Sequence, residues 1–261
     1  MALDGVRPAA VRIVAFDMFG TLAQNDRGMW RASIEAVARE QELAISGANL
    51  HREWSAREGR FRDRRTNMAD PAASPPFLSY EEAWCNAFAE TFADLGLNGD
   101  AAAAAKSCCE AHAMRPPFTD SPRALAGLAS HVRLAVLSNA DDRFLEGLVA
   151  NQGWVFETVL SSEGARAYKP DPRIFATFCD LVGVEPGEVL YVGDSVYDDV
   201  HGAKLAGMQA VHLQRDRQMW AGPFLPPAGV NLLPADDVIE TLAELGPLLG
   251  LGAAIQRGER P

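Results

Sequence analysis

The sequence predicts an α/β protein with a mostly parallel sheet covered by helices on both faces, together with a separate all-helical domain. Short apolar, β-branched runs alternate with helical patterns, as in successive βαβ units. A long stretch between the first two of these runs has helical periodicity and no comparable apolar run. The composition, with 48% hydrophobic and 23% charged residues among 261, is that of a folded globular protein.

The apolar runs predict five strands. Each run is short and bounded by turn residues, which is typical of a strand buried on both faces. The runs lie at residues 11–17, 132–138, 188–194, 209–213 and 230–233.

Helical patterns predict the remaining elements. In the sheet domain they cover residues 141–150, 173–182, 198–206, with Gly207 as the stop, and 236–249. In the inserted region they cover residues 30–40, 51–61, 80–95 and 101–114. We therefore expect a core domain of residues 1–23 and 119–261, and a helical domain of residues 24–118.

Charge and cysteine content exclude several classes of protein. Lys and Arg number 24 against 35 Asp and Glu, so the net charge of −11 disfavours nucleic-acid binding. The four cysteines form no CxxC pair, which disfavours a disulfide scaffold or a structural zinc site. No apolar run approaches the roughly 20 residues of a membrane span, and no targeting segment is visible. We expect a cytoplasmic protein; its oligomeric state is not predicted.

Polar residues follow the predicted strands at the edge where open α/β sheets bind ligands. Asp17 ends the first strand, Ser138 and Asn139 end the second, and Asp194 ends the third. Lys169 precedes a helix and completes the set. An Asp nucleophile, oxygen ligands for Mg²⁺ and a Lys that balances phosphate charge are the natural assignment.

Four motifs in order resemble those of the haloacid dehalogenase superfamily. They are the Asp17 segment FDMFGTL, the Ser138 segment LSN, Lys169-Pro170, and the Asp194 segment GDSVYDDV. The resemblance implies a Rossmann-like core, with the helical insertion as a C1 cap domain. It also implies a hydrolase acting on a small, anionic substrate.

The resemblance further implies roles for matching residues. Asp17 would attack the substrate and form a covalent intermediate, while Ser138 and Lys169 would hold the transferring group. Thr21 and Asn139 would contact the substrate. A merely structural alternative for Asn139 is that it caps the following helix.

The same resemblance implies a Mg²⁺ site. Asp17, the backbone carbonyl of Phe19 and Asp194 would ligate the ion. Asp199, or in second place Asp198, would order the waters of the ion. Alternatively, these two acids only favour the dipole at a helix N-terminus.

Phe19 departs from the phosphatase pattern, which places a second Asp there as general acid and base, worth about 10²–10⁴-fold in rate. Family dehalogenases carry an aromatic residue at this position, use no metal and place a Tyr where this chain has Phe175. The first expectation is a Mg²⁺-dependent phosphatase with an aspartyl-phosphate on Asp17. The alternatives are a metal-free 2-haloacid dehalogenase and a ligand-binding module with little turnover.

An arginine-rich segment lies in the predicted cap. Residues 52–65 contain six Arg and three acidic residues. On a helix, Arg57, Arg60 and Arg64 share one face, and this face could bind the anionic part of a substrate. The alternative is a solvated face with mixed charge pairs.

Overall fold

A computed structural model describes residues 5–215 and 230–251. Its sheet has six strands in the order β3-β2-β1-β4-β5-β6, and every neighbouring pair is parallel. The strands are β1 Ile13–Phe16, β2 Arg133–Ser138, β3 Thr158–Ser161, β4 Val189–Gly193, β5 Gln209–Leu213 and β6 Asp237–Ile239. The predicted α/β fold class is confirmed.

Both faces of the sheet are buried, which explains why its strands read as continuous apolar runs. In β1, Val14 and Phe16 join one apolar cluster while Ile13 and Ala15 join the other. Because side chains alternate along a strand, each strand contributes to both clusters.

The helices occupy both faces of the sheet and the insertion after β1. Their bounds are α1 Arg27–Glu40, α2 Gly47–Arg64, α3 Tyr80–Leu95, α4 Ala101–Ala113, α5 Ser121–Ala129, α6 Asp142–Gln152, α7 Ser162–Ala165, α8 Pro172–Val182, α9 Gly202–Leu205 and α10 Leu245–Leu248. Among the described helices, none has the length and apolarity needed to cross a bilayer.

The four helices of the insertion begin at side-chain caps. Asp26, Ser46, Ser79 and Asp100 each accept a hydrogen bond from a backbone N–H in the first turn of α1 to α4. At α3, Glu82 also reaches back to the backbone of Ser79 and completes a capping box. Local sequence therefore fixes where the helices start.

The chain leaves the sheet domain and returns to it at one place. Ala23 pairs with Pro117, and the backbone N–H of Phe118 donates to the carbonyl of Leu22 at 3.0 Å. Asp141 in the sheet domain accepts from the backbone N–H groups of Tyr80 and Glu81, at 2.7 Å each. The domain boundaries at residues 24 and 118 stay a prediction. The contacts described here connect the two predicted domains.

The end of the sheet domain differs from the sequence prediction. The strand predicted at residues 230–233 is wrong, since β6 forms at Asp237–Ile239. The helix predicted at 236–249 is also wrong: only a 3₁₀ turn and α10 form there. One physical reason is that the first residues of this span form β6. In addition, Pro247 lacks the N–H group that a continuing helix needs, and Gly250, with a φ of +73°, is in the left-handed conformation that ends helices.

Besides β6, the elements β3, α5 and α7 were not predicted. Strand β3 and helix α7 are only four residues long each, and α5 is nine residues long and follows a Pro-rich stretch. The segment predicted as a helix over 198–206 begins earlier, as a π-helical stretch Val196–His201 followed by α9. Gly207 ends it with a φ of +84°, as predicted.

Candidate active site

The predicted site residues meet at the carboxyl ends of the central strands. Asp17 follows β1, Ser138 ends β2, and Asp194 follows β4. Together with Lys169, they line a cavity of about 80 Å³ that the insertion closes from above. We call this cavity the catalytic pocket.

Asp17 is the central acceptor of the catalytic pocket. Its Oδ1 accepts from Ser138 Oγ at 2.8 Å and from Lys169 Nζ at 2.8 Å. Both donors hold the same oxygen, so they fix the orientation of the carboxylate. Burial raises the pKa of Asp17, and the Lys169 ammonium opposes that shift.

Lys169 is buried and shared between two carboxylates. Its Nζ donates to Asp199 Oδ1 at 2.6 Å and to the hydroxyl of Tyr191 at 2.7 Å, in addition to Asp17. Burial alone would lower the pKa of Lys169, but Asp17 and Asp199 outweigh burial and hold that pKa well above its usual value. Lys169 is therefore an ammonium that orients the Asp17 carboxylate.

Tyr191 is a site residue that the sequence analysis missed. Its hydroxyl donates to the carbonyl of Leu137 at 2.6 Å and accepts from Lys169. The sequence did contain a signal for this role: Tyr191 is the single phenol within the apolar run of β4, and a buried hydroxyl group needs a hydrogen-bond partner.

Two glycines let the acidic residues approach the strand ends. A Cβ on Gly193 would lie 2.3 Å from Asp199 Cγ, and one on Gly20 would lie 2.7 Å from Asp194 Oδ2. Gly20 also has a φ of +97°, which disfavours other residues. The positions of Asp194 and Asp199 therefore depend on these glycines.

Thr21 and Asn139 orient other site residues. The Thr21 hydroxyl donates to Asp194 Oδ1 at 3.1 Å, and Thr21 is not among the residues that line the catalytic pocket. Asn139 does line it; Asn139 Oδ1 accepts from Lys169 N at 2.8 Å and its Nδ2 donates to Asp198 Oδ2 at 3.3 Å. Substrate contact by either residue stays a prediction.

Asp17, Asp194 and Asp199 form a possible metal site. Each offers a carboxylate oxygen, and these atoms lie within 4.8 Å of one another. Hard divalent cations such as Mg²⁺ prefer oxygen ligands of this kind, so the donor set fits. The two oxygens of Asp199 also accept hydrogen bonds, one from Lys169 Nζ and the other from the backbone N–H of Ser195.

The side of the catalytic pocket facing the insertion is aromatic. Phe19 contacts His112 and Phe144 edge-on, with ring centroids 5.4 Å and 5.8 Å apart. Trp30 and Trp84 complete this wall. No sequence pattern indicates this aromatic wall, because the residues that surround Phe19 come from four separate helices, α1, α3, α4 and α6.

His112 lies within this wall as a neutral imidazole. Its Nδ1 lies 2.8 Å from the carbonyl of Cys108, which can only accept, so Nδ1 carries the proton. Burial, reinforced by the charge of Arg115, lowers the pKa of His112 to about 3. His112 therefore supplies no proton to a leaving group near neutral pH.

The arginine-rich segment covers most of α2 and the residue after it, and the arginines that approach the site are not those on the predicted face. Arg62 lines the catalytic pocket, and Arg65 donates to Asp198 Oδ2 at 3.0 Å. The predicted set of Arg57, Arg60 and Arg64 lies around a different cavity. The difference arises because successive residues of a helix point in different directions.

The chain is similar to known hydrolases. Residues 11–207 match the family model for haloacid dehalogenase-like hydrolases. An (S)-2-haloacid dehalogenase of Xanthobacter autotrophicus is 30% identical over 212 residues, which cover 78% of this chain and 76% of the relative. Haloacetate dehalogenase H-2 of a Moraxella species is 28% identical over 208 residues, covering 78% and 86%.

The fold is also similar to that of solved dehalogenase structures. The L-2-haloacid dehalogenase structure from X. autotrophicus with covalently bound chloropropionic acid superposes with a TM-score of 0.69 at 26% identity, covering 92% of this chain and 98% of that one. The family match extends over most of the chain and includes all four motifs. The protein belongs to the haloacid dehalogenase-like hydrolases.

Proposed function

We propose that this hydrolase displaces halide from a short 2-haloacid, with Asp17 as the nucleophile. The named activities of the relatives, an (S)-2-haloacid dehalogenase and a haloacetate dehalogenase, support this substrate class. They favour the dehalogenase alternative over the first expectation of a phosphatase. A catalytic pocket of about 80 Å³ has room for only a few water-sized groups, which suits a short acid.

The observation that carries the proposal is the apolar residue beside the nucleophile. Phe19 occupies the position where a leaving-group acid would stand, and the adjacent His112 is neutral. A halide departs as a stable anion and needs no proton. An alkoxide leaving group does need one.

In the first step, an oxygen of Asp17 forms a bond to C2 of the haloacid while the carbon–halogen bond breaks. The bonding electrons leave with the halide, and the Asp17 side chain becomes an ester. Lys169 and Ser138 hold the nucleophile in position through Oδ1, so the other oxygen is left for attack. The substrate carboxylate would meet the Arg62 guanidinium that lines the catalytic pocket.

In the second step, water attacks the ester carbonyl carbon of Asp17, and the bond from this carbon to the oxygen on C2 breaks. We assign two roles to Asp198, which lines the catalytic pocket: it takes a proton from this water and returns it to the departing oxygen, so that a 2-hydroxy acid leaves and the Asp17 carboxyl group is restored. Arg65 and Asn139 both donate to Asp198 Oδ2 and so fix its carboxylate. Asp199 is less suited, because Lys169 and Ser195 N occupy its two oxygens.

The test is halide release from chloroacetate and both enantiomers of 2-chloropropionate, with and without EDTA. We expect EDTA-insensitive release that stops in Asp17→Asn. Running the reaction in ¹⁸O-water, with enzyme in excess, should place the label on Asp17 before it appears in product. Label found directly in the product would refute an ester on Asp17.

A second candidate is a Mg²⁺-dependent phosphatase, which the oxygen triad of Asp17, Asp194 and Asp199 favours. A bound Mg²⁺ would neutralise charge on a phosphoryl group at Asp17. The matching test is hydrolysis of aryl and alkyl phosphates with Mg²⁺ or EDTA. Metal-dependent phosphate release without halide release would select this candidate. Failure of both reactions would favour a ligand-binding module.

A further inference from the structure

A second cavity lies in the insertion, between α2, α3 and the segment of residues 75–78. Its volume is about 290 Å³, against about 80 Å³ for the catalytic pocket. The two cavities share no lining residue. We call the larger one the cap cavity.

The cap cavity combines an apolar floor with a lining rich in arginine. Phe61, Phe77 and Tyr168 line it, and the rings of Phe77 and Tyr168 stack with centroids 4.9 Å apart. Four arginines line it as well, against one acidic residue, Glu90. This concentration of cations contrasts with the net charge of −11 of the whole chain.

Ion pairs hold three of the four arginines. Arg57 pairs with Glu53 and Asp94 as well as with Glu90, which it shares with Arg60, and Arg65 pairs with Asp198. The buried Nε of Arg57 has no hydrogen-bond partner among the described residues. Arg64 forms no ion pair within the described chain. Arg64 is exposed, so a bound anion could reach it without breaking an existing ion pair.

We propose that the cap cavity is a second ligand site, for an organic anion with a flat apolar body such as an aromatic carboxylate. The ring would lie on the aromatic floor, and the carboxylate would meet the guanidinium group of Arg64. A cavity of about 150 Å³ holds a benzene ring. The cap cavity is therefore large enough for a benzoate, whereas the catalytic pocket is not.

This site would lie one side chain away from the catalytic pocket. Arg65 lines the cap cavity and also donates to Asp198, which lines the catalytic pocket. The proposal concerns binding alone and does not depend on which reaction Asp17 performs.

The first experiment locates the ligand. Crystals of the whole chain soaked in 4-bromobenzoate should show an anomalous bromine peak between α2 and α3. A peak in the catalytic pocket, or none in the cap cavity, would overturn the proposal.

The second experiment measures affinity by calorimetry with benzoate. Arg64→Gln removes an exposed cation of the cavity, and we expect binding to weaken about threefold to fivefold. Arg52→Gln is the matched control, since Arg52 is an exposed residue of the same helix that does not line the cavity. Equal affinity of the two variants would show that the cap cavity is not the binding site.

Discussion

His112 should remain neutral down to strongly acidic pH, and its protonation should destabilise the fold. Its pKa is 6.5 in an unfolded chain and about 3 in the fold, because the imidazole is buried in an aromatic wall beside Arg115. As pH falls below about 6.5, the unfolded chain takes up the proton first. The stabilising contribution of neutral His112 is therefore complete above that pH and declines as pH falls towards 3.

The magnitude follows from these two pKa values. At pH 5 the unfolded chain is almost fully protonated at this position and the folded chain is not, which costs about 2 kcal/mol relative to pH 7.5. Asp141 acts in the opposite direction, since burial raises its pKa to about 6. Its contribution is present in both wild type and a His112 variant, and it cancels in their difference.

The assay is urea unfolding of wild type and His112→Asn at pH 7.5 and pH 5, together with an NMR titration of the histidine rings. Asn can still donate to the Cys108 carbonyl but does not titrate. We expect the variant to lose about 2 kcal/mol less than wild type over this pH interval. The exposed His131→Asn is the control and should behave as wild type. A His112 ring that titrates between pH 5 and 7, or equal losses in the two proteins, would refute the reasoning.

Three further predictions concern the catalytic pocket. Asp17→Asn should lower turnover by about 10⁴-fold or more, measured as halide release, while the circular dichroism spectrum stays unchanged. Phe19→Asp should slow halide release from a haloacid at least about tenfold, because a second carboxylate beside the nucleophile repels the anionic substrate; an unchanged rate would place the substrate elsewhere. Lys169→Met should lower the free energy of unfolding by about 3–5 kcal/mol, since it leaves Asp17 and Asp199 without their cation, whereas the exposed Lys106→Met should change it by less than about 0.5 kcal/mol.

Much of the fold can be predicted from the sequence, because the residues that indicate each strand or helix lie close together in the chain. The central strands are buried on both faces, so their side chains must be apolar throughout, and the runs around β1, β2 and β4 are unmistakable. The helices of the insertion start at capping residues that act within three positions of themselves. Strand β6 lacked such a signal, because its three residues form a strand only by pairing with β5.

The sequence also allowed us to predict that the candidate site residues lie together. Parallel strands bring their carboxyl ends to one edge, so Asp17, Ser138 and Asp194 had to meet there once the strands were recognised. The side chains that surround these residues could not be predicted from the sequence. The bond from Tyr191 to Lys169 and the His112 wall join residues far apart in the chain, and no short-range pattern reports such contacts.

The sequence by itself determined the strands β1, β2, β4 and β5, the inserted helices and the place of Asp17 at the end of β1, because each depends on periodicity or on where a strand ends. The tertiary structure alone decided which arginines at the end of α2 approach the catalytic pocket, because successive residues of a helix lie about 100° apart around its axis. Arg62 lines the catalytic pocket, whereas Arg60 and Arg64 line the cap cavity. Arg65 follows the helix, lines the cap cavity and donates to Asp198. The tertiary structure alone also decided the charge state of His112. A pKa depends on burial and on neighbouring charges, and both are properties of the packed chain.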